Sequence, residues 1–272
     1  MPSTKFVQSR TKHTEIGGIH TDEKRFGGIT MSPNNELKQN YFRMRLAGLF
    51  NRSIFAKKYA AAICGSMVNM INRGNGKGRK RADYVFDWDI IRSSSLELVS
   101  IEVNDKKIKG NVAELGVYRG EFAEKINKAF PDRKLYLFDT FEGFNEKDVE
   151  IETLLNFSKK RHNFSQTNEE IVLQKMKFRE NCIIRKGYFP ETANGIEDIF
   201  AFVSIDTDLY TPIYNGLKYF YPRLANGGYI FVHDYNEGLY PGVKEAVKKY
   251  CEEEGITFFP LSDLGGSAII MK

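Results

Sequence analysis

Short apolar runs of strand length alternate with amphipathic runs of helix length from about residue 110 to the end of the 272-residue chain. The apolar runs predicted to be strands are NVAELGV, KLYLFDT, NCIIRKG, FAFVSID, GYIFVHD, TFFPLS and SAIIMK. Between them, the runs at 121–130, 169–177, 212–224 and 243–254 carry apolar residues three and four positions apart, as one helix face requires. This alternation predicts an α/β domain with a doubly wound, mostly parallel sheet.

The last two apolar runs are separated by only the four residues DLGG. A crossover between parallel strands needs about a dozen residues or more, so these strands are predicted to pair as an antiparallel hairpin at the sheet edge. The expected fold class is therefore a Rossmann-like sheet of seven strands that ends in an antiparallel hairpin.

The N-terminal part of the chain does not show this alternation of strand-like and helix-like runs. Residues 1–36 are rich in Gly, Ser, Thr and Lys and show no regular apolar period, which predicts a flexible arm or lid. Residues 37–107 begin with apolar and basic residues at helical spacing and are predicted to form a helical extension, interrupted by a loop at GKGRKR. The α/β domain is predicted over residues 108–272.

Charge and composition indicate which binding partners and which cellular compartment to expect. The net charge is +5, but basic and acidic residues are interleaved along the chain, so no nucleic-acid partner is expected. Three widely spaced cysteines fit neither a disulfide framework nor a zinc site, which indicates the cytoplasm. No run approaches the ~18 apolar residues that span a bilayer. The apolar stretch at 42–71 could pack on its own sheet or on a second copy, which leaves a homo-oligomer open.

The first predicted strand ends in Glu114-Leu-Gly116, and Gly120 follows where a helix should begin. Ligands of open parallel sheets bind beyond the carboxyl ends of the strands. Gly116 would let the backbone approach a ligand, and Gly120 would permit close packing at the helix start. The gap between these glycines departs from GxGxxG, so a pyrophosphate cradle is not favoured. Glu114 would suit a ligand that carries an ammonium group.

The second predicted strand ends at Asp139, about twenty residues after the glycine turn, where an acid can bind a ribose diol. We therefore expect Glu114 and Asp139 to hold a nucleoside together. Each residue also has a structural alternative, because Glu114 could cap the helix and Asp139 could end its strand in a turn.

A second acidic group follows the fourth and fifth predicted strands. Asp206 and Asp208 would point to the same side if the strand geometry continued, and His233 and Asp234 would reach the same rim. Carboxylates favour Mg²⁺, and an imidazole broadens the choice toward Mn²⁺. Separate helix and loop caps are the structural alternative.

Several ordered blocks, VAELGVYRGEFA, LYLFDTFEGF, GYFPET, SIDTDLY and PGVKEAVKKY, resemble the macrocin O-methyltransferase family over roughly residues 108–272. The resemblance implies a class I O-methyltransferase that uses S-adenosylmethionine and a divalent metal to methylate a sugar hydroxyl of a glycan or glycosylated small molecule. It implies that Glu114, Gly116 and Gly120 hold the methionine end of the cofactor, and Asp139 its ribose. The remaining residues predicted in the cofactor site are Tyr118, Thr140, Phe141 and Asp206.

The resemblance further implies that Asp206 and Asp234 bind Mg²⁺, or Mn²⁺, and that Asp208 is the base for the acceptor hydroxyl. The family usually has two adjacent aspartates where this chain has His233-Asp234. His233 is therefore a candidate third metal ligand. Its neutral imidazole, with an ordinary pKa near ~6.5, is an alternative base, and a structural role is equally open.

Other functions stay open on the sequence alone. The acceptor could be a phenol, another small molecule or RNA, and His233 could mark an inactive nucleoside-binding homologue. A dehydrogenase on the same fold is disfavoured by the glycine spacing and the strand-end aspartates. Residues 145–168 and 1–36 are the predicted lid segments that select the acceptor.

Overall fold

The computed structural model describes residues 89–158 and 162–272. The predicted arm at 1–36, the apolar stretch at 42–71 and the segment GKGRKR lie outside the described residues. Within the part of the chain that is described, no helix has the length and apolar character needed to cross a bilayer.

The described residues build one seven-stranded sheet. Its strands are β1 (Asn111–Leu115), β2 (Leu135–Asp139), β3 (Cys182–Lys186), β4 (Phe200–Ile205), β5 (Leu224–Val232), β6 (Phe258–Pro260) and β7 (Ala268–Met271). They lie in the order β3-β2-β1-β4-β5-β7-β6. Strands β1 to β5 are parallel, whereas β7 runs antiparallel to both β5 and β6. The predicted seven-stranded sheet and its terminal hairpin are thus confirmed.

Six α-helices accompany the sheet in the described ranges. They are α1 (Ile90–Asp105), α2 (Glu121–Ala129), α3 (Glu146–Leu154), α4 (Glu169–Lys175), α5 (Tyr210–Arg223) and α6 (Pro241–Glu254). The four helices predicted between the strands are confirmed to within about three residues at each end. Helix α3 lies in the segment predicted to be a lid loop. Its buried side carries Asp148 and Glu152 beside Val149, so the apolar period that identifies a helix is missing.

The two faces of the sheet pack against different helices. Successive residues of a strand point to opposite faces, and Val112 of β1 and Phe202 of β4 pack with the apolar residues of α1 and α2. The other face packs with α5 and α6. Glu114 and Ser204 are register partners that lie two residues beyond Val112 and Phe202. Their side chains therefore face the α1 and α2 layer, at the carboxyl ends of the strands.

Gly116 directly follows β1 with a φ of +85°, and a Cβ at this position would clash with the backbone oxygen of Asp206. The glycine is thus required by the close approach of two strand ends, which adds a reason to the ligand approach that the sequence suggested. Gly120 has a φ of +79° and immediately precedes α2, where a Cβ would touch the Val172 side chain at 3.0 Å. It permits close packing at the helix start.

Candidate functional site

A cavity of about 340 Å³ opens at the carboxyl ends of the parallel strands. Among its lining residues are nine of the eleven predicted site residues: Glu114, Gly116, Tyr118, Asp139, Thr140, Asp206, Asp208, His233 and Asp234. The other two lie elsewhere. Gly120 is at the start of α2, and Phe141 is only 4% exposed and packs in the hydrophobic core. The topology therefore assembles most of the predicted site in one place, as expected for an open parallel sheet.

Glu114 is a buried carboxylate on β1, only 1% exposed, and it lines the cavity. Its Oε2 atom has no hydrogen-bond partner among the described residues. Burial raises the pKa of Glu114 well above its usual range, and Asp206 and Asp139 add to the effect while Arg92 opposes it. The residue does not cap α2, whose first residue follows Gly120 without a side-chain cap. A buried carboxylate with an unsatisfied oxygen is suited to a cationic ligand.

Asp139 holds the loops around the cavity. Its Oδ2 atom accepts hydrogen bonds from the backbone N–H groups of Val117, at 2.7 Å, and Tyr118, at 2.8 Å. Its Oδ1 atom accepts one from Phe141 at 2.7 Å, which closes a turn after β2. A carboxylate has about four acceptor positions, so about one is left for a ligand. Asp139 can accept one ribose hydroxyl here rather than both.

His233 lies among three carboxylates. Its Nδ1 atom is 3.1 Å from Asp234 Oδ2 and 3.3 Å from Asp206 Oδ1, and its Nε2 atom is 3.6 Å from Asp89 Oδ2. These are ion-pair contacts rather than well-directed hydrogen bonds. Burial alone would lower the pKa of His233, but Asp206 and Asp234 outweigh it and raise the pKa to about 12. The neighbouring carboxylates thus favour the protonated form of the ring.

Asp208 reaches the same acidic group by a turn. Strand β4 ends at Ile205, so the extended geometry does not continue, and Asp208 has a φ of +61°. Burial raises its pKa well above the usual range, and the charges of Asp206 and Asp234 raise it further. Its carboxyl group also shares a hydrogen bond with that of Asp234. Once ionised, the carboxylate of Asp208 is consequently a stronger base than an ordinary aspartate.

Arg92 is a site residue that the sequence analysis missed. It lies in the first turn of α1, is 5% exposed and lines the cavity. Its Nη1 atom donates to Asp206 Oδ2 at 2.9 Å, and its Nη2 atom donates to Ser204 Oγ at 2.9 Å. One signal was available, because Arg92 falls in phase with the buried residues Leu96, Val99 and Val103 of α1. A cation on an apolar helix stripe is unusual and indicates a buried partner.

The residues implied as metal ligands stand close together, since one donor atom from each of Asp206, His233 and Asp234 lies within 4.8 Å of the others. Spacing alone would admit a cation. However, the guanidinium of Arg92 binds one oxygen of Asp206, and the imidazole ring of His233 lies beside the other. A divalent ion would have to bind next to the positive charge of Arg92 and compete with it for Asp206. The donor set in this structure therefore does not fit Mg²⁺ or Mn²⁺ well.

Aromatic side chains form one wall of the cavity. Phe164 makes edge-to-face contacts with Tyr118 at 5.2 Å and with Phe144 at 5.1 Å between ring centroids, and all three line the cavity. Farther along, Tyr188 also lines it and donates its hydroxyl to Asp148 of α3 at 2.7 Å. The cavity thus combines flat apolar surfaces with carboxylates, which suits a ligand with rings and polar groups.

Residues 42–272 match the family described as Macrocin-O-methyltransferase (TylF). Mycinamicin III 3''-O-methyltransferase of Micromonospora griseorubida is 27% identical over 164 residues, which are 55% of this chain and 63% of that protein. A second relative is the 8-demethyl-8-(2,3-dimethoxy-alpha-L-rhamnosyl)-tetracenomycin-C 4'-O-methyltransferase of Streptomyces olivaceus. It is 24% identical over 181 residues, or 61% of this chain and 66% of that protein. Both alignments span less than two thirds of the relative.

Among solved structures, the O-methyltransferase NovP superposes with a TM-score of 0.55 at 22% sequence identity. The match covers 67% of this chain and 80% of that chain. At this identity the likeness bears on the fold, and it supports the assignment of the sheet and its helices to the class I methyltransferase architecture.

Proposed function

The chain belongs to the macrocin O-methyltransferase family, and from this premise we propose that it transfers the methyl group of S-adenosylmethionine to a sugar hydroxyl of a glycan or glycosylated small molecule. One observation carries the proposal. The cavity joins a buried carboxylate with an unsatisfied oxygen, Glu114, to the acidic group of Asp206, Asp208 and Asp234. A cationic cofactor and a hydroxyl to be deprotonated need these two features side by side.

The residues fit the cofactor. When bound, S-adenosylmethionine supplies a methyl group on a sulfonium, which is already a good leaving group. Glu114 would receive the ammonium of its methionine part, and Asp139 would accept one hydroxyl of its ribose. Since little activation of the methyl group is needed, the protein contributes mainly by aligning the acceptor oxygen and by removing its proton.

We assign the removal of the acceptor proton to Asp208. As the acceptor oxygen gains the methyl group, its proton passes to the carboxylate of Asp208, whose pKa is raised by burial and by neighbouring carboxylates. A raised pKa makes an aspartate a stronger base once it is ionised. His233 was the alternative base, but surrounding carboxylates keep its imidazole protonated, so it has no free lone pair to accept a proton.

A sugar acceptor is supported by two observations. The relative from Streptomyces olivaceus is named for a rhamnosyl compound and methylates its 4' oxygen. The wall formed by Tyr118, Phe144 and Phe164 offers flat aromatic surface on which a pyranose ring can stack. A phenolic acceptor would use the same wall, and the product screen described next distinguishes the two acceptor classes.

The test combines calorimetry with a product screen. S-adenosylhomocysteine should bind to the purified chain, and incubation with S-adenosylmethionine and glycosylated natural products should give products heavier by one methylene group in mass spectrometry. If methyl transfer occurred only to phenols, the proposed acceptor would be a phenol and not a sugar. Cofactor binding without transfer to any acceptor would indicate an inactive nucleoside-binding homologue, and absence of binding would refute the proposed function.

Cofactor affinity should depend on pH through Glu114. Its pKa lies well above the ordinary value of 4.5, so part of the protein carries a neutral Glu114 when the pH is moderately acidic. An ammonium ligand favours the ionised form, and binding therefore releases a proton. We expect the affinity for S-adenosylhomocysteine to rise by up to about tenfold per pH unit while Glu114 titrates.

Calorimetry in two buffers of different ionisation enthalpy measures this proton release directly. The Glu114→Gln variant is the matched control, because its amide cannot titrate. It should bind the ligand more weakly and without the pH slope. Equal slopes in the wild type and the variant would show that Glu114 does not receive the ammonium.

A further inference from the structure

The first turn of α1 places a permanent positive charge inside the site. Arg92 is 5% exposed, and two of its nitrogens are held by Asp206 and Ser204 at 2.9 Å. The carbon at the centre of its guanidinium lies 3.7 Å from the centroid of the Phe122 ring, a cation–π contact that fixes the plane of the group. A side chain held from three directions has a defined position and is part of the site.

The sheet explains why a cation is needed at this position. Glu114 and Ser204 point into the otherwise apolar layer between β1, β4 and the helices α1 and α2. The carboxylates of Glu114 and Asp206 would repel each other there without a positive charge between them, and Arg92 interacts with both. A buried carboxylate pair normally requires a metal ion or a basic side chain.

Arg92 and a divalent ion compete for the same oxygens. Asp206 Oδ2 is occupied by the guanidinium, and Asp206 Oδ1 faces His233 at 3.3 Å. His233 itself stands at a position where the resemblance implies an aspartate. An imidazole thus stands in place of one expected carboxylate, and the carboxylate of Asp206 is paired with an arginine. Both features reduce the negative charge that would attract a metal ion.

We propose that Arg92 takes the place of the divalent cation in this chain, beside a His233 that stands where a metal-binding carboxylate is expected, so that methyl transfer requires no bound metal. Arg92 acts as a positioning residue, because it holds the carboxylate of Asp206 against the acceptor side of the cavity without touching the acceptor itself. The part of this proposal that concerns turnover rests on the proposed function. The part that concerns metal binding does not.

Metal binding is tested first, with Mn²⁺ alone as the probe and no acceptor present. The electron paramagnetic resonance signal of free Mn²⁺ should stay unchanged when an equimolar amount of wild-type protein is added. The double variant Arg92→Met/His233→Asp restores the carboxylate and removes the arginine, and it should reduce the free-ion signal. Saturable binding of one Mn²⁺ to the wild type, lost in Asp234→Asn, would overturn the proposal even if no acceptor had been found.

Turnover is tested second. Treatment with a chelator should leave the rate of the wild type within about twofold of the untreated enzyme, since no metal is needed. A loss of activity on chelation that Mg²⁺ or Mn²⁺ reverses would contradict the proposal.

The role of Arg92 is separated from mere folding by two replacements. Arg92→Met should lower kcat by about 100-fold through misplacement of Asp206, with a smaller change in KM for the cofactor. Arg92→Lys keeps the charge but not the forked geometry, and it should recover about tenfold of that loss. A purely structural arginine would give equal defects in both variants. Arg179→Met is the control, because Arg179 pairs with Glu170 at the exposed surface and should leave kcat unchanged.

Discussion

Replacement of Asp208 by asparagine is expected to lower kcat by about 10²–10⁴-fold while the affinity for S-adenosylhomocysteine stays near that of the wild type. Asparagine preserves the size of the side chain and can still form a hydrogen bond with Asp234, but it cannot accept the proton of the acceptor hydroxyl. Glu114 and Asp139, the residues proposed to bind the cofactor, are left in place by the substitution. Steady-state rates and calorimetry on the same preparation measure the two quantities.

The pH profile gives an independent check on Asp208. A base must be ionised to act, and the pKa of Asp208 is raised by burial and by the charges of Asp206 and Asp234. The kcat of the wild type should therefore increase as the pH rises through this pKa and then level off. The asparagine variant should lack that transition. Asp132→Asn, which changes an exposed aspartate outside the cavity, should keep both the rate and the profile. A full-rate Asp208→Asn enzyme would move the base to another group.

Parallel topology explains why so much of the acidic site could be predicted. Once the strands are recognised, their carboxyl ends must share one edge, whatever their spacing in sequence. Glu114, Asp139 and Asp206 converge there because β2, β1 and β4 are neighbours in the sheet. The polar residues after each apolar run were enough to locate the cavity.

Two residues show what the strand pattern cannot reveal. Asp208 was placed by assuming that β4 continues, whereas the chain turns at a φ of +61° and brings the carboxyl group to Asp234 by another route. Phe141 follows Asp139 in a turn with a φ of +57°, which directs its side chain into the core instead of toward the cofactor. Backbone turns after a strand decide such directions, and a single sequence carries only a weak record of them.

Arg92 was missed for a different reason. It is separated from Asp206 by 114 positions and lies in a part of the chain that the resemblance did not cover. Its contact depends on how α1 packs across the sheet, which periodicity alone does not specify. Helix α3 was also not predicted, because acidic residues occupy its buried side and no apolar period marks it. A tertiary contact explains this burial, since Glu152 accepts a hydrogen bond from the backbone N–H of Tyr210 at 2.6 Å.

Asp206→Ala should have the largest effect on stability, because it removes the carboxylate that forms an ion pair and a hydrogen bond with the buried guanidinium of Arg92. Removal of one member of a buried ion pair costs about 3–5 kcal/mol. For a domain of this size, that loss lowers Tm by roughly 6–20 °C. Urea unfolding followed by fluorescence should show a lower midpoint with an unchanged m value, since the substitution alters a contact and not the surface exposed on unfolding.

The double variant Arg92→Met/Asp206→Leu distinguishes two contributions to the free energy of unfolding. One is the loss of stability caused by an unpaired buried charge, and the other is the net stabilisation by the ion pair. When both charged residues are replaced by apolar side chains, no buried guanidinium remains that has lost its ion-pair partner. Most of the stability lost in Asp206→Ala should therefore return. Turnover should not return, because the Asp206 carboxylate, which we propose faces the acceptor, is absent in both variants. Recovery of stability without activity would mean that the ion pair is kept for its position in the site and not for its contribution to folding. An Asp206→Ala protein as stable as the wild type would show instead that Arg92 finds another partner, and the ion pair seen here would then not hold Asp206 in place.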